Sequence, residues 1–140
     1  MKEFKKKLFY SITVLGISSI ITQIVVLREF LSVFQGNELV FGIILANWLL
    51  LTGFGSYIGK YTDKIKFKLR WWIIAQLIIA FLPFFHIIII RNLRNLFFLY
   101  GELIDLISII LSTFLILLPY CFISGFLLTL ACCIDRKSVV

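Results

Sequence analysis

The chain has 140 residues, of which 61% are hydrophobic, and its mean hydropathy is +1.07. Soluble domains are about 45–50% apolar, and one soluble core of this size could not bury the excess. Fourteen Lys and Arg against seven Asp and Glu give a net charge of +7. The basic residues gather at the ends of apolar runs, so we expect anionic lipid headgroups rather than nucleic acid beside them. Composition thus favours an integral membrane protein.

Four apolar stretches are each long enough for a spanning helix, which needs about 20 residues. We predict an all-α, polytopic transmembrane helical bundle that forms a single domain over residues 1–140. The four spans are predicted at 8–27, 39–57, 71–90 and 106–134. The first is too long for a signal peptide and no A-x-A-like cleavage site follows it, so a retained helix is favoured over a cleaved signal. The fourth exceeds the bilayer thickness and is expected to tilt, or to bend at Pro119.

The basic residues are distributed unequally between the two sides that these spans define. Eleven fall in the N-terminal tail, the connection between the second and third spans, and the C-terminal tail. Three, namely Arg28, Arg91 and Arg94, fall on the other side. Basic residues are enriched on the cytoplasmic side of membrane proteins. The bias predicts a multi-pass protein of the cell membrane with both termini in the cytoplasm.

Polar and small residues fall on particular faces of the first two spans. In the first span, one stripe holds Ser11, Ser18, Thr22 and Glu29, with Gly16, Ser19 and Gln23 beside it. In the second, Gly42, Ala46, Gly53 and Ser56 align on one side, and Gly55 and Gly59 form a G-x-x-x-G pair on another. Small residues let helix backbones approach in lipid. We expect the stripe to pack on protein, with a polar substrate path as the alternative, and the two small faces predict neighbours on both sides.

Asn47 lies near mid-membrane, where its amide needs a hydrogen-bond partner, and a contact between helices is favoured over ligand binding. Pro83 and Pro119 each remove a backbone donor inside a span. Such breaks are tolerated where neighbours compensate and sometimes mark transporter sites. His86, the one histidine, is expected to be a helix-contact residue rather than a proton carrier or ligand.

Sequence signatures of catalysis are absent. The chain has no P-loop, no G-x-G-x-x-G opening a βαβ unit, no H-E-x-x-H and no G-x-S-x-G. No charged residue lies in the middle of a span, which disfavours a proton-coupled carrier. Cys121, Cys132 and Cys133 have no metal-ligand or disulfide spacing. We therefore expect no catalytic, cofactor or metal site.

The first two spans and the turn between them contain a pattern of small and polar residues: Gly16, Gln23, Arg28, Glu29, Gly36, Asn37, Glu38, Gly53, Gly55, Ser56 and Gly59. This pattern resembles the membrane domain of spermidine synthase-like proteins. In that family a first helix carries a Gly, then a Gln and an Arg-Glu or Arg-Leu pair, and a second helix ends in a G-x-G-S-type segment. The likeness covers 16–59 well, and the fourth span adds a looser match in Leu118-Pro119 and Ser124-Gly125-Phe126.

The resemblance implies membership in a larger helical membrane domain, in which the matched residues Gln23, Arg28, Glu29, Gly53, Gly55 and Gly59 look structural. Enzymatic members add a cytosolic Rossmann-like aminopropyltransferase domain that uses decarboxylated S-adenosylmethionine and a polyamine. Nothing in this chain matches the motifs of that domain, so the activity is not carried over. A third interpretation, an aminopropyltransferase subunit, predicts an adjacent gene that encodes the missing half.

From the sequence we expect a noncatalytic integral membrane module without a cofactor. Its predicted partners are the lipid bilayer and further transmembrane helices, supplied by a second copy or by a partner subunit. The alternative from another class is a small transporter or half-transporter that acts as an oligomer around Gln23, Asn47 and the two proline breaks.

Overall fold

The computed structural model describes residues 2–34, 37–61, 68–97 and 105–137, and this part of the chain contains helices and no strand. Helix α1 covers Lys2–Val33, α2 Glu38–Gly59, α3 Lys68–Phe97 and α4 Leu106–Lys137. All four are long and apolar enough to cross a membrane. The prediction of an all-helical chain with four apolar spans is confirmed.

The helices extend beyond the predicted spans at most of their ends. The apolar windows run over Phe9–Val33, Glu38–Gly59, Leu69–Asn92 and Leu106–Ile134. The predicted bounds followed the loss of hydrophobicity, whereas backbone hydrogen bonding continues for some residues past it. At the start of α2, the Asn37 side chain accepts a hydrogen bond from the Leu39 amide at 3.2 Å, which caps the helix. Both α3 and α4 continue through their internal prolines, Pro83 and Pro119.

Contacts between helices fix their relative directions. Asn47 bonds to Thr113 and Ser56 to Gly125, so α2 and α4 run parallel. Ser11 bonds to Gln76 of α3, and Glu29 pairs with Arg91 farther along both helices.

Helices α1 and α3 are therefore parallel to each other. His86 of α3 meets Ile116 of α4, while Trp71 and Ala75 share a groove with Phe126, so α3 is antiparallel to α4. The odd-numbered helices run one way and the even-numbered ones run the other.

This arrangement brings the starts of α1 and α3 together with the ends of α2 and α4. We call this side of the bundle the basic end, because the exposed residues Lys6, Lys60 and Arg70 lie on it. The opposite side, which carries the Glu29–Arg91 pair, is the Glu29 end. Some of the basic residues counted from the sequence, such as Lys64 and Lys66, lie outside the described residues.

Helix α4 is the centre of the bundle. It packs most extensively on α2, then on α3, and it also contacts α1, whose main neighbour is α3. The fully buried side chains come from every helix: Val26, Phe30, Ile44, Ile90, Thr113, Leu117, Cys121, Leu127 and Leu130. The opposite faces carry large apolar side chains such as Phe84, which is 69% exposed, and Leu115, which is 72% exposed. These faces suit contact with lipid tails, as apolar helices in a bilayer require.

Candidate functional site

Asn47 joins the middle of α2 to α4. Its side-chain nitrogen donates to Thr113 Oγ1 at 2.8 Å and to the Ile110 carbonyl oxygen at 3.2 Å. Both Asn47 and Thr113 are buried. The Thr113 hydroxyl also lies 2.7 Å from the Ile109 carbonyl oxygen, to which it donates along its own helix. The amide that stood out in the sequence is thus engaged in hydrogen bonds inside the bundle.

Three glycines let α2 and α4 pack closely, and at two of them the backbones of the two helices meet. A Cβ atom on Gly55 would overlap the Phe122 carbonyl oxygen, and one on Gly125 would overlap that of Thr52. A Cβ on Gly59 would lie 2.7 Å from Thr129 Cβ. Because side chains larger than hydrogen do not fit there, glycine is required for this contact. The G-x-x-x-G pair of α2 therefore faces α4.

Hydroxyl groups reinforce the same contact. Ser56 Oγ donates to the Gly125 carbonyl oxygen at 3.2 Å, and Thr129 Oγ1 donates to the Ser56 carbonyl oxygen at 3.2 Å. Hydrogen bonds across helices replace those that water cannot supply in lipid. The hydrogen bonds at this contact therefore come from short side chains, which allow α2 and α4 to approach closely.

The other small face of α2 is open. Gly42, Ala46 and Gly53 are exposed, and among the described residues nothing would lie within 4 Å of a Cβ atom on either glycine. We call these three residues the open α2 face. Ser56, which the sequence placed on this side, instead bonds to Gly125. The sequence showed both small faces, but only the one toward α4 has a neighbour within the described chain.

The polar stripe of α1 is divided between two neighbours and the membrane. Ser11 bonds to Gln76 of α3 at 3.1 Å, while Thr22 is buried and interacts with the Tyr120 hydroxyl of α4. Ser18 is exposed. Gln23 is half-buried, and no hydrogen bond of its side chain to another described residue is present. Part of the stripe thus packs on other helices of the bundle. The Gln23 amide has no hydrogen-bond partner among the described residues.

At the far end of α1, the carboxylate of Glu29 pairs with the Arg91 guanidinium of α3. Nε lies 3.1 Å from Oε2 and Nη2 lies 3.0 Å from Oε1, which is a two-pronged geometry. Arg28, the neighbour of Glu29 in sequence, is exposed. The two residues of the Arg28-Glu29 motif therefore have different surroundings, and the Glu29 carboxylate links α1 to α3.

Tyr120 lies where all four helices meet. Its ring lies 5.5 Å from that of Trp48 in α2 and 6.0 Å from that of His86 in α3, centroid to centroid. Its hydroxyl interacts with Thr22 and Ser19 of α1. No sequence pattern marks this residue, because one aromatic in an apolar run is not distinguished by its spacing.

The described residues include no group of three His, Cys, Asp or Glu side chains that could hold a metal ion. A groove of about 290 Å³ between α3 and α4 is lined by apolar side chains: Trp71, Ile74, Ala75, Ile78, Phe122, Ile123 and Phe126. What the arrangement does offer is a set of contacts between helices and one open small-residue face.

Comparisons with protein-family models, with curated proteins and with solved structures find no match to this chain. The functional proposal below therefore rests on the contacts within the bundle.

We predict that replacing Asn47 by leucine weakens the α2–α4 contact. The variant loses bonds to Thr113 and Ile110, and hydrogen bonds between membrane helices contribute about 0.6 kcal/mol on average and up to about 1.7. The free energy of unfolding, measured by titration with dodecyl sulfate in mixed micelles, should fall by about 1 kcal/mol. Thr113→Val in the Asn47→Leu background should cost less than it does alone. Fully additive effects would show that the two side chains do not interact.

Proposed function

We propose that the chain is a noncatalytic integral membrane module that associates with further transmembrane helices through the open α2 face. The observation that carries this proposal is the contrast between the two sides of α2. Its glycines toward α4 are in close contact with that helix, while Gly42, Ala46 and Gly53 are exposed. Small residues bring membrane helices together because they allow close packing, whereas lipid-facing positions do not need them.

Gln23 supports association independently of that face. Its side chain lies within the span of α1, and no described residue accepts or donates a hydrogen bond to it. An amide in hydrocarbon is costly unless it is hydrogen-bonded, because the bilayer core holds no water. A polar group on another helix would satisfy it.

The relationship to the membrane part of spermidine synthase-like proteins belongs to the same proposal. A module of a larger helical domain would need unpaired faces of this kind on its outer helices. For orientation, we propose that the basic end faces the cytoplasm, since Lys and Arg favour that side, and that the chain resides in the cell membrane.

The alternative of a small transporter gains less support from the contacts. Asn47, around which a substrate path was considered, donates to Thr113 and Ile110. The α3–α4 groove offers apolar side chains only. Association therefore accounts for more of the polar and small residues than transport does.

We predict that Ala46→Phe disrupts association of the chain in membranes. A large side chain on the open α2 face would hold a neighbouring helix away, whereas the contacts of α2 with α4 lie on the other side and would persist. The number of chains per assembly should be counted by single-molecule photobleaching in vesicles, first for the chain alone and then with candidate partners co-expressed. We expect the association constant derived from these counts to fall at least about tenfold, which corresponds to about 1.4 kcal/mol.

Leu50→Phe is the matched control, because Leu50 is an exposed position of α2 that already carries a large side chain. It should leave association unchanged. A chain that is monomeric at every protein-to-lipid ratio and yields no crosslink to another helix from a photoreactive group at Leu49 would overturn the proposal.

A further inference from the structure

His86 makes two contacts of the same kind through its two ring nitrogens. It lies within the span of α3 and is 2% exposed. Nδ1 lies 2.8 Å from the Leu82 carbonyl oxygen on its own helix, and Nε2 lies 2.7 Å from the Ile116 carbonyl oxygen on α4. Both distances are those of good N–H···O hydrogen bonds.

A carbonyl oxygen can only accept a hydrogen bond, and a neutral imidazole carries one N–H group. With one proton on the ring, one of the two contacts would set a nitrogen lone pair against an oxygen lone pair. Both contacts become hydrogen bonds only when both nitrogens carry a proton. The geometry therefore fits an imidazolium ion better than either neutral tautomer.

We propose that His86 is a proton-binding site and that its imidazolium form bridges α3 to α4. A proton from water adds to the ring nitrogen that lacks one, and the ring gains one positive charge. The apolar surroundings oppose this charge, while two charge-assisted hydrogen bonds to carbonyl oxygens favour it. The proposal is independent of the association through α2.

The two internal prolines lie near the partners of this site. Pro119, three residues after Ile116, cannot donate to the Leu115 carbonyl, which interrupts the hydrogen-bond ladder of α4 in this turn. Pro83 lies three residues before His86 and interrupts α3 in the same way. The carbonyl that Pro119 leaves without its helical donor is that of Leu115, the neighbour in sequence of the Ile116 carbonyl that meets Nε2.

The ionisable groups around His86 are few. From α4, Tyr120 meets the imidazole edge-on with ring centroids 6.0 Å apart, and Cys121 follows it in sequence. The spans of α1 and α2 have no ionisable side chain between residues 11 and 27 or between 39 and 56.

The nearest charged groups along α3 and α1 are Arg91 and its partner Glu29, which neutralise each other. Arg91 is five residues from His86, about 7.5 Å along the helix. Its side chain is 69% exposed.

Nitrogen NMR tests the proposal without assignment problems, because the chain has one histidine. The full chain in lipid vesicles would carry 15N-labelled histidine and isoleucine labelled with 13C at the carbonyl. Spectra would be recorded at about pH 5 and about pH 8, the interval in which histidine charge usually changes. At the lower pH we expect both nitrogens to be protonated and Nε2 to show a dipolar coupling to an isoleucine carbonyl carbon.

Ile116→Leu is the matched control. It keeps the backbone carbonyl but replaces the labelled carbon with an unlabelled one, so the coupling should vanish while both nitrogens stay protonated. An unprotonated ring nitrogen at both pH values, in protein whose helix content is intact, would overturn the proposal. Two protonated nitrogens without the carbonyl coupling would overturn it as well.

Discussion

Replacing Gly125 by alanine is expected to lower the free energy of unfolding of the bundle by about 3 kcal/mol, the upper part of the usual range for an overpacked contact. The new Cβ would overlap the Thr52 carbonyl oxygen and lie 2.9 Å from the Ser56 amide nitrogen. Both are backbone atoms, so no side-chain rotation can make room. Helices α2 and α4 would have to separate, which also stretches the 3.2 Å bond from Ser56 to Gly125.

Gly53→Ala is the control for this prediction, since it also replaces a helical glycine by alanine, at the same depth in the bundle. Among the described residues nothing lies within 4 Å of the atom that it adds. It should change stability by less than about 0.5 kcal/mol, as surface substitutions do. Titration with dodecyl sulfate, followed by circular dichroism, gives both values. Equal losses in the two variants would mean that the close approach of α2 and α4 at Gly125 is absent in the membrane.

The sequence was sufficient for the number and type of elements, because each span is a long apolar run that a bilayer permits only as a helix. It was less informative about which faces meet. Gly53 and Gly55 are two residues apart and of one type, yet one is open and the other touches the backbone of Phe122. Residue spacing shows which residues share a face of a helix. It does not show which helix lies opposite that face, because this depends on how all four helices pack.

The same limit applies to the polar residues, whose partners on other helices the sequence does not reveal. The sequence singled out Asn47 as a residue that needs a partner, but Thr113 lies 66 positions away and many hydroxyls were available. Glu29 was considered beside Arg28, whereas it pairs with Arg91, 62 positions away. His86 was interpreted as a plain contact residue, because nothing in the sequence shows that both ring nitrogens meet carbonyl oxygens. Such long-range pairings follow from tertiary structure, and no local pattern encodes them.

Tyr120→Ala is expected to be nearly as damaging as Gly125→Ala, with a loss of about 3 kcal/mol. The side chain is 2% exposed and touches the rings of Trp48 and His86, while its hydroxyl reaches Thr22. Removing it leaves a cavity where four helices meet. The expected loss lies at the lower end of the range for aromatic truncations, because an unfolded chain in lipid still has its apolar surface in an apolar solvent. The loss is therefore mainly of packing contacts.

Two further variants separate packing from the general effect of a smaller side chain. Leu115→Ala truncates a side chain of the same helix that is 72% exposed, so it should change stability by less than about 0.5 kcal/mol. Tyr120→Phe keeps the ring and removes the hydroxyl, which should cost about 1 kcal/mol. If Leu115→Ala were as costly as Tyr120→Ala, loss of lipid contact rather than loss of the junction would explain both. Losses that decrease from Tyr120→Ala to Tyr120→Phe to Leu115→Ala would instead show that the buried junction at Tyr120 stabilises the packing of α4 on the other three helices.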